Sequence, residues 1–374
     1  KKKIYIQAAL HADEIPGMLV CDHLIKSLDA LGSDGEILDD ICIVPFANPI
    51  GLSQNMLGHQ IGRFSSRSGV NFNRGFPDLA STVHEAVKNR LSATDARMNV
   101  DLIRKELFEV ICSELAAAKK EEEILKLQLF KEAAVSDIVL DLHCDTESVL
   151  HTYFHRNLWP DAADLAAELG SHCHLLASSA GGNPFDEACS DFWAEMALKD
   201  PAAAIPMACF CSTVELRGKA DVSDDLAAKD AAAIVRFLRR RGALCATSTA
   251  ADSDNSNSGI TSPLPALLRP ASELAYMDIL EASCAGVVVW RAQPGDIVSE
   301  NDVLGDIVPI NINAPTATTT TTTTTTTPRV PIVARTSGLM FQRSTHRLVA
   351  AGDTLCKVAG DKRLPWRDGD LLTA

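Results

Sequence analysis

The first 245 residues alternate between short apolar runs and longer stretches with a helical spacing of apolar positions. Four runs rich in β-branched residues predict strands, at 3–10, 36–48, 136–145 and 204–218. Stretches that repeat apolar residues every three to four positions predict helices, at 17–31, 84–131, 162–171 and 223–242. This alternation predicts an α/β domain whose parallel or mixed sheet is flanked by helices.

After this region the pattern changes. Residues 246–265 are rich in Ser, Asn and Asp and have few apolar positions, which predicts a linker or loop outside any core. Short apolar runs separated by Gly and Asp turns follow and predict a small all-β domain. We therefore expect a catalytic domain at 1–248, a polar linker at 249–265 and a β-rich domain at 266–374. Ten consecutive threonines at 318–327 predict a surface loop inside the β-rich domain.

The β-rich region contains one pattern twice, at 285–308 ("AGVVVWRAQPGDIVSENDVLGDIV") and at 336–360 ("TSGLMFQRSTHRLVAAGDTLCKVAG"). Each copy has a glycine followed by a strand, a Gly-Asp turn and another strand. The two copies resemble the halves of a barrel-sandwich hybrid, as in biotinyl and lipoyl carriers. Such carriers need a lysine between the halves, and no lysine lies between Glu300 and Cys356. The sequence therefore favours a structural or substrate-shaping cap over a carrier.

Charge and composition exclude several classes of function. The chain has 35 basic and 49 acidic residues and a formal net charge of -14, which argues against a nucleic-acid partner. One basic cluster, "RFLRRRG" at 236–242, follows an Ala-rich helical stretch and is expected to complement the helix C-terminus. No apolar run approaches the roughly 18 residues of a membrane span, so no membrane partner is expected. Homo-oligomer formation is left open.

The cysteines indicate the redox environment. Eleven cysteines form an odd number without repeated spacing, which is typical of free thiols in a reducing compartment. We therefore expect a cytoplasmic protein. Because the chain begins at Lys1 and not at a methionine, we also expect a fragment or processed product, and an upstream targeting signal is left open.

Polar residues that can do chemistry lie at or just after the carboxyl ends of three predicted strands. They are His11 with Glu14, His143, and Glu215. The carboxyl ends of strands in open α/β sheets line the usual ligand crevice. Two histidines and a carboxylate form a common catalytic zinc set, and zinc lowers the pKa of a bound water to about 7. A separate carboxylate, Glu215, is then available to move a proton.

Other interpretations of these residues stay open. A His-x-x-Glu spacing is common by chance, and a lone histidine after a strand is more often simply hydrogen-bonded. Asp13, Asp141 and Asp145 are nearby acids that compete as ligands. Asp141 lies two residues before His143, where it can orient a ligand instead of binding metal. Cys144 is expected to point to the other face and to pack as a thiol.

The loop at 47–79 adds arginines to the candidate residues. "ANPIGLSQNMLGHQIGRFSSRSGVNFNRGFPDL" has Asn-Pro and Gly breakers, then Arg63 and Arg67, then Asn73 and Arg74. The planar guanidinium group suits capture of a carboxylate or stabilisation of an oxyanion. The alternative is a solvated loop with surface arginines.

Four motifs in order carry a family resemblance: "HADE", "NPIGL…GRF…NFNRGFPD", "DLHCD" and "TVEL". Over about residues 4 to 245 the chain resembles the succinylglutamate desuccinylase/aspartoacylase family of zinc carboxypeptidase-like deacylases. The resemblance implies a carboxypeptidase-like mixed sheet and one Zn²⁺ per chain held by His11, Glu14 and His143. It also implies Glu215 as the general base and acid.

The same resemblance assigns the loop residues. It implies that Asn73 and Arg74 bind a substrate carboxylate and that Arg63 or Arg67 polarises the carbonyl, with Arg63 favoured because it follows the glycine of "GRF". The family often has an aspartate where this chain has Asn71.

The function expected from the sequence is therefore a zinc-dependent deacylase that cleaves the amide bond of a small N-acyl substrate. The alternatives are a metallocarboxypeptidase acting on peptides and a zinc-retaining binding module without turnover. The acyl group and amine are not specified, although the stretch 179–193 is expected to be a loop that contacts the substrate, with Phe185, Glu187 and Trp193 as candidates.

Overall fold

The structure is a computed structural model that describes residues 1–245, 263–310, 328–367 and 371–372. Most of the expected linker at 249–265 and the whole threonine tract at 318–327 lie outside the described residues. The chain divides into two compact units. The first unit contains Lys1–Asp145 and Leu150–Ala271, and the second contains Thr146–Val149 and the segment that begins at Ser272.

The elements are numbered in chain order. The strands are β1 (Lys3–Ala8), β2 (Asp40–Val44), β3 (Asn55–Met56), β4 (His59–Gln60), β5 (Ile138–Asp145), β6 (Glu147–Ser148), β7 (His151–His155), β8 (Cys173–Ala177), β9 (Phe210–Gly218), β10 (Ser272–Glu273), β11 (Met277–Glu281), β12 (Gly286–Trp290), β13 (Ile297–Val298), β14 (Val303–Pro309), β15 (Val330–Val333), β16 (Gly338–Arg343), β17 (Leu348–Val349) and β18 (Thr354–Gly360). The α-helices are α1 (Pro16–Ser33), α2 (Pro49–Leu52), α3 (Ala80–Val87), α4 (Ala96–Ala117), α5 (Glu121–Ala133), α6 (Ala163–Leu169), α7 (Phe185–Lys199) and α8 (Asp224–Arg240).

A mixed sheet forms the centre of the first unit. Its strands lie in the order β8-β7-β9-β5-β1-β2. All neighbours are parallel except β7 and β9, which are antiparallel. The four predicted strands are confirmed as β1, β2, β5 and β9. The first seven residues of β5 are buried, as expected for a central strand covered on both faces.

Two apolar cores cover the faces of this sheet. One core contains residues of α1, α6 and α8, and the other contains residues of α3, α4, α5 and α7. The helical stretch 84–131 includes the end of α3 and the separate helices α4 and α5. The carboxylate of Asp95 accepts a hydrogen bond from Met98 N at 2.9 Å. This N-cap stabilises the start of α4 as a helix separate from α3.

The basic cluster at the end of α8 forms ion pairs with carboxylates of helix α6. Arg236 and Arg240 both donate to the buried carboxylate of Glu168, and Arg241 binds Asp164. The cluster therefore ties α8 to α6.

The second unit consists of two antiparallel sheets, with orders β11-β18-β16-β13 and β15-β14-β12-β17. Each of the two sequence copies contributes strands to both sheets. β13 of the first copy pairs with β16 of the second, and β17 of the second copy pairs with β12 of the first. A shared apolar core lies between the sheets. The fold class, a mixed α/β sheet flanked by helices with a C-terminal β-rich part, is confirmed.

All eleven cysteines are free thiols. Within the part of the chain that the structure describes, no helix is long and apolar enough to cross a membrane.

Candidate metal centre and active site

A tight turn after β1 brings His11 and Glu14 to the sheet edge. The backbone at Ala9 has φ +63°, a left-handed conformation that ends the strand, and Glu14 N donates to the carbonyl of His11 at 3.1 Å. Pro16 then begins α1, where a proline loses no helical hydrogen bond. The sequence therefore places both side chains between a strand end and a helix start.

The structure brings His11, Glu14 and His143 together. Their candidate ligand atoms all lie within 4.8 Å of one another, and the three residues are buried. Glu14 lies between the two imidazoles. Its Oε1 is 3.0 Å from His11 Nδ1 and its Oε2 is 2.7 Å from His143 Nδ1.

The outer nitrogens of both imidazoles have acceptors of their own. His11 Nε2 lies 2.9 Å from Asn71 Oδ1, and His143 Nε2 lies 2.9 Å from Asp141 Oδ2. When each Nε2 donates its hydrogen outward, each Nδ1 presents a lone pair to the centre of the group. Metal-binding histidines are oriented by such acceptors, so the three residues fit a metal ion.

The three residues of this group shift one another's pKa values. Burial raises the pKa of Glu14, but His11 and His143 outweigh burial, so the pKa lies well below its ordinary value. Burial lowers the pKa of His11 below its ordinary value. For His143 burial acts in the same direction, but Asp141 and Glu14 outweigh it and the pKa is raised. The group therefore offers an ionised carboxylate between two imidazoles.

His11, Glu14 and His143 form the candidate metal site, called the metal group below. The neighbouring acids do not belong to it. The carboxylate of Asp13 forms an ion pair with Lys219, and Asp141 accepts from His143 at the imidazole's outer nitrogen. The Cys144 side chain is buried, and burial raises the pKa of its thiol. Asp141 therefore has the orienting position that the sequence left as one alternative.

The polar loop at 47–79 packs against the His11–Glu14 turn. Asn48 Nδ2 donates to the carbonyl of Leu10 at 2.8 Å, and Ala12 N donates to the carbonyl of Gly62 at 3.0 Å. A Cβ on Gly62 would lie 2.4 Å from Asp13 N, so only glycine allows this approach.

The approach of this loop brings Arg63 to the metal group, and Arg67 lies apart. Arg63 Nη1 lies 3.3 Å from Glu14 Oε1 and 3.2 Å from His11 Nδ1. Arg67 is 81% exposed in its side chain and pairs with the exposed Glu121 at 3.0 Å.

Asn73 lies beside the outer nitrogen of His143, and Arg74 lies next to Asn73. Asn73 Oδ1 accepts from Phe185 N at 2.8 Å, while its Nδ2 is 3.4 Å from His143 Nε2. Arg74 Nη1 donates to the carbonyl of Asn73 at 2.7 Å. Its Nε is buried and has no hydrogen-bond partner among the described residues. Burial, and secondly Arg63, lower the pKa of Arg74.

Glu215 is placed by sheet register. It is the partner of His143 in the parallel pair β5·β9 and of His151 in the antiparallel pair β7·β9. Partners in register project from the same face of a sheet, so the Glu215 carboxylate and the His143 imidazole share a face. The side chain is half-buried.

The expectation for 179–193 is wrong in part. Residues from Phe185 onward form helix α7, and both Phe185 and Trp193 are fully buried core residues. Glu187 is half-buried and lines a cavity of about 380 Å³.

Two residues of the site were not identified from the sequence. Asn71 holds His11, and Lys126 on α5 donates to the carbonyls of Asn71 (3.2 Å) and Arg74 (2.5 Å).

Comparison with known families gives a match over most of the first unit. The family described as the succinylglutamate desuccinylase/aspartoacylase catalytic domain matches residues 1–241. None of the curated proteins compared with the chain matches it.

Solved structures share the fold over nearly the whole chain. A succinylglutamate desuccinylase/aspartoacylase family protein from Shewanella amazonensis is 23% identical, with a TM-score of 0.76 over 96% of this chain and 90% of that chain. A protein of the same description from Shewanella frigidimarina is 23% identical, with a TM-score of 0.76 over 96% and 89%. The ectoine utilization protein EutE (DoeB) from Ruegeria pomeroyi, in a product-bound structure, is 15% identical, with a TM-score of 0.62 over 96% and 85%. At these identities the likeness shows the fold.

Proposed function

Because the chain belongs to the succinylglutamate desuccinylase/aspartoacylase family, whose members are deacylases and aspartoacylase-like enzymes, we propose that it is a zinc-dependent hydrolase. It cleaves the amide bond of a small N-acyl amino acid or a related compound. The observation that carries the proposal is the buried His11–Glu14–His143 group with its outward acceptors.

The three residues of this group would hold one Zn²⁺ per chain. Two nitrogen ligands and one carboxylate suit zinc and leave a coordination position open. Zinc bound there supplies a Lewis acid and lowers the pKa of a coordinated water to about 7. Asn71 and Asp141 keep the two imidazoles in the orientation that this coordination needs.

Glu215 carries the proton in the proposed reaction. A carboxylate on the same sheet face as His143 can accept the proton of the attacking water and deliver it to the leaving nitrogen. This transfer converts a poor leaving group, the amide anion, into a neutral amine.

Arg63 and Arg74 have separate roles in the proposal. Arg63 lies against the ligand residues, where a guanidinium stabilises the oxyanion that forms at the scissile carbonyl. Arg74 lies next to Asn73 and, with it, binds a free carboxylate of the substrate. Its buried Nε, without a partner among the described residues, is a donor suited to that anion.

The remaining expectations complete the proposal. The catalytic domain in this proposal is the one expected at 1–248, apart from Thr146–Val149, which belong to the second unit. The β-rich domain was expected at 266–374 and begins at Ser272 in the division into units; it is a structural cap and not a carrier. The partner is a small-molecule substrate, without nucleic acid or membrane. Eleven free thiols support a reducing, cytoplasmic location.

A hydrolysis screen tests the function. Purified protein is incubated with N-acetylated and N-succinylated amino acids and with short peptides, with and without a chelator, and zinc is measured on the same samples. We expect about one zinc per chain and chelator-sensitive release of a free amine from a small N-acyl compound. Cleavage of peptides alone would favour a metallocarboxypeptidase, and zinc binding without any hydrolysis would favour a binding module. His143→Ala is expected to lose the zinc.

A further inference from the structure

A chain of hydrogen bonds runs along one face of the sheet, from Tyr5 to His143 of the metal group. The Tyr5 hydroxyl lies 3.0 Å from Gln7 Oε1, and Gln7 Nε2 lies 3.0 Å from Asp141 Oδ1. The other oxygen of Asp141, Oδ2, is the acceptor 2.9 Å from His143 Nε2. Each of these four side chains is at most 3% exposed.

Sheet register explains how this chain of bonds forms. Gln7 on β1 and Asp141 on β5 are partners in a parallel pair, so their side chains project from the same face. Tyr5 and His143 lie two residues before Gln7 and two residues after Asp141, and so share that face. Gln7 is fully buried in a strand that is otherwise mainly apolar. Burial of an amide without partners is costly, so an apolar side chain would suit packing alone better than glutamine does.

The chemistry of the groups sets the direction of each bond. The NH₂ of Gln7 donates to Asp141, which leaves the amide oxygen of Gln7 to accept from the Tyr5 hydroxyl. Burial raises the pKa of Tyr5 well above its ordinary value, so the hydroxyl keeps the hydrogen that it donates. With Oδ1 fixed by Gln7, Oδ2 of Asp141 is directed to His143 Nε2. The hydrogen of His143 then stays on Nε2, and Nδ1 is available to the metal.

We propose that Gln7, supported by Tyr5, is a positioning residue for the metal centre. It fixes the Asp141 carboxylate, and through that carboxylate it fixes the tautomer and ring orientation of His143. The inference rests on the proposed function in one respect, because it takes His143 as a zinc ligand.

Zinc affinity of purified variants tests this inference. The dissociation constant for zinc is measured by competition with a chromogenic chelator, and the visible spectrum of the cobalt(II)-substituted protein reports the ligand geometry. Outer hydrogen bonds to metal ligands are worth about 10- to 100-fold in metal affinity. Gln7→Met keeps the side-chain volume and loses both hydrogen bonds. It should raise the dissociation constant for zinc about tenfold and alter the cobalt spectrum. Tyr5→Phe should change both readouts in the same direction by a smaller factor.

Asn99→Ala is the matched control. Asn99 is also fully buried in the first unit, and its side-chain amide donates to the carbonyls of Ser92 and Ala204 at 2.8 and 3.0 Å. This variant should lower the free energy of unfolding and leave the zinc constant and the cobalt spectrum unchanged.

The possible results separate the inference from the proposed function. If Gln7→Met keeps the wild-type dissociation constant for zinc and the wild-type cobalt spectrum, the positioning role is wrong. This holds even if the variant is less stable than the wild type. If Gln7→Met does not fold, Tyr5→Phe decides, since it removes one oxygen atom, and wild-type readouts there overturn the inference. Wild-type protein that binds no zinc overturns the proposed function and this inference with it.

Discussion

His143 on β5 and Glu215 on β9 are register partners in adjacent parallel strands. A residue of the buried metal group and the proposed proton carrier are therefore held by the same ladder of backbone hydrogen bonds. Sheet registers are fixed by the apolar pattern on both faces, so this relation does not depend on loop conformation. Glu215 is half-buried as a residue and His143 is buried, and the Oε2 atom of Glu215 is itself buried.

The first prediction concerns Glu215→Gln. The substitution preserves size and removes the group that accepts a proton, so turnover should fall by about 10²- to 10⁴-fold. Zinc content should stay at the wild-type level because Glu215 is not in the metal group. Both are measured on one preparation, by amine release and by metal analysis. A Gln variant with wild-type turnover would exclude the proposed proton transfer.

Arg63 and Arg67 offer a matched pair for a second prediction. Arg63 Nη1 contacts two residues of the metal group, whereas Arg67 is exposed and pairs with an exposed glutamate. Arg63→Ala should lower kcat by about 10²- to 10³-fold, as expected for loss of an oxyanion donor. Arg67→Ala should leave kcat and KM nearly unchanged, because exposed ion pairs contribute about 0–1 kcal/mol. The reverse ranking in steady-state kinetics would transfer the proposed role to Arg67.

The sequence predicted the strands with uniform apolar patterns and missed those without them. β5 and β9 were found because each begins in an apolar run, at 138–140 in β5 and at 207–211 leading into β9. β7 begins and ends in histidine, and α7 follows directly on a Gly-Gly-Asn-Pro stretch that is typical of a loop. In both elements burial is decided by tertiary packing, which no local pattern contains.

The candidate site was predictable where it followed strand ends and not where it depended on contacts across the sheet. His11, Glu14 and His143 could be named because polar residues ended apolar runs. Gln7 looked like one polar position in a strand, and Lys126 like a solvated charge on α5. Each acquires a role only through a partner more than 50 residues away in the sequence. Such pairings need the three-dimensional register.

A third prediction concerns the close approach of two loops at Gly62. A methyl group there would lie 2.4 Å from Asp13 N, and backbone atoms cannot move aside as a flexible side chain can. Gly62→Ala should therefore cost about 1–3 kcal/mol of unfolding free energy and displace Arg63, with lower kcat and weaker zinc binding. Gly32→Ala is the control, because its methyl would meet only a side-chain end at 3.3 Å in helix α1. Equal thermal stability and zinc content in both variants would show that the loop tolerates separation.

The last prediction concerns a carboxyl group away from the metal. Burial, then Glu187 and Asp186, raise the pKa of Asp191 to about 8, whereas an unfolded aspartate has a pKa of about 3.9. Folding therefore takes up a proton between these values, so stability is fullest below about pH 4 and is lost as the pH rises toward 8. Asp191→Asn should remove this loss and raise the free energy of unfolding by an amount that grows from near zero at pH 4 to about 1–3 kcal/mol at pH 8. Urea unfolding at several pH values measures the difference.

Glu85→Gln is the control, because Glu85 is exposed and its hydrogen bond with Lys88 lowers its pKa, so this variant should gain no stability with rising pH. Parallel pH curves for wild type and Asp191→Asn would show that Asp191 ionises in the folded protein as it does in the unfolded chain.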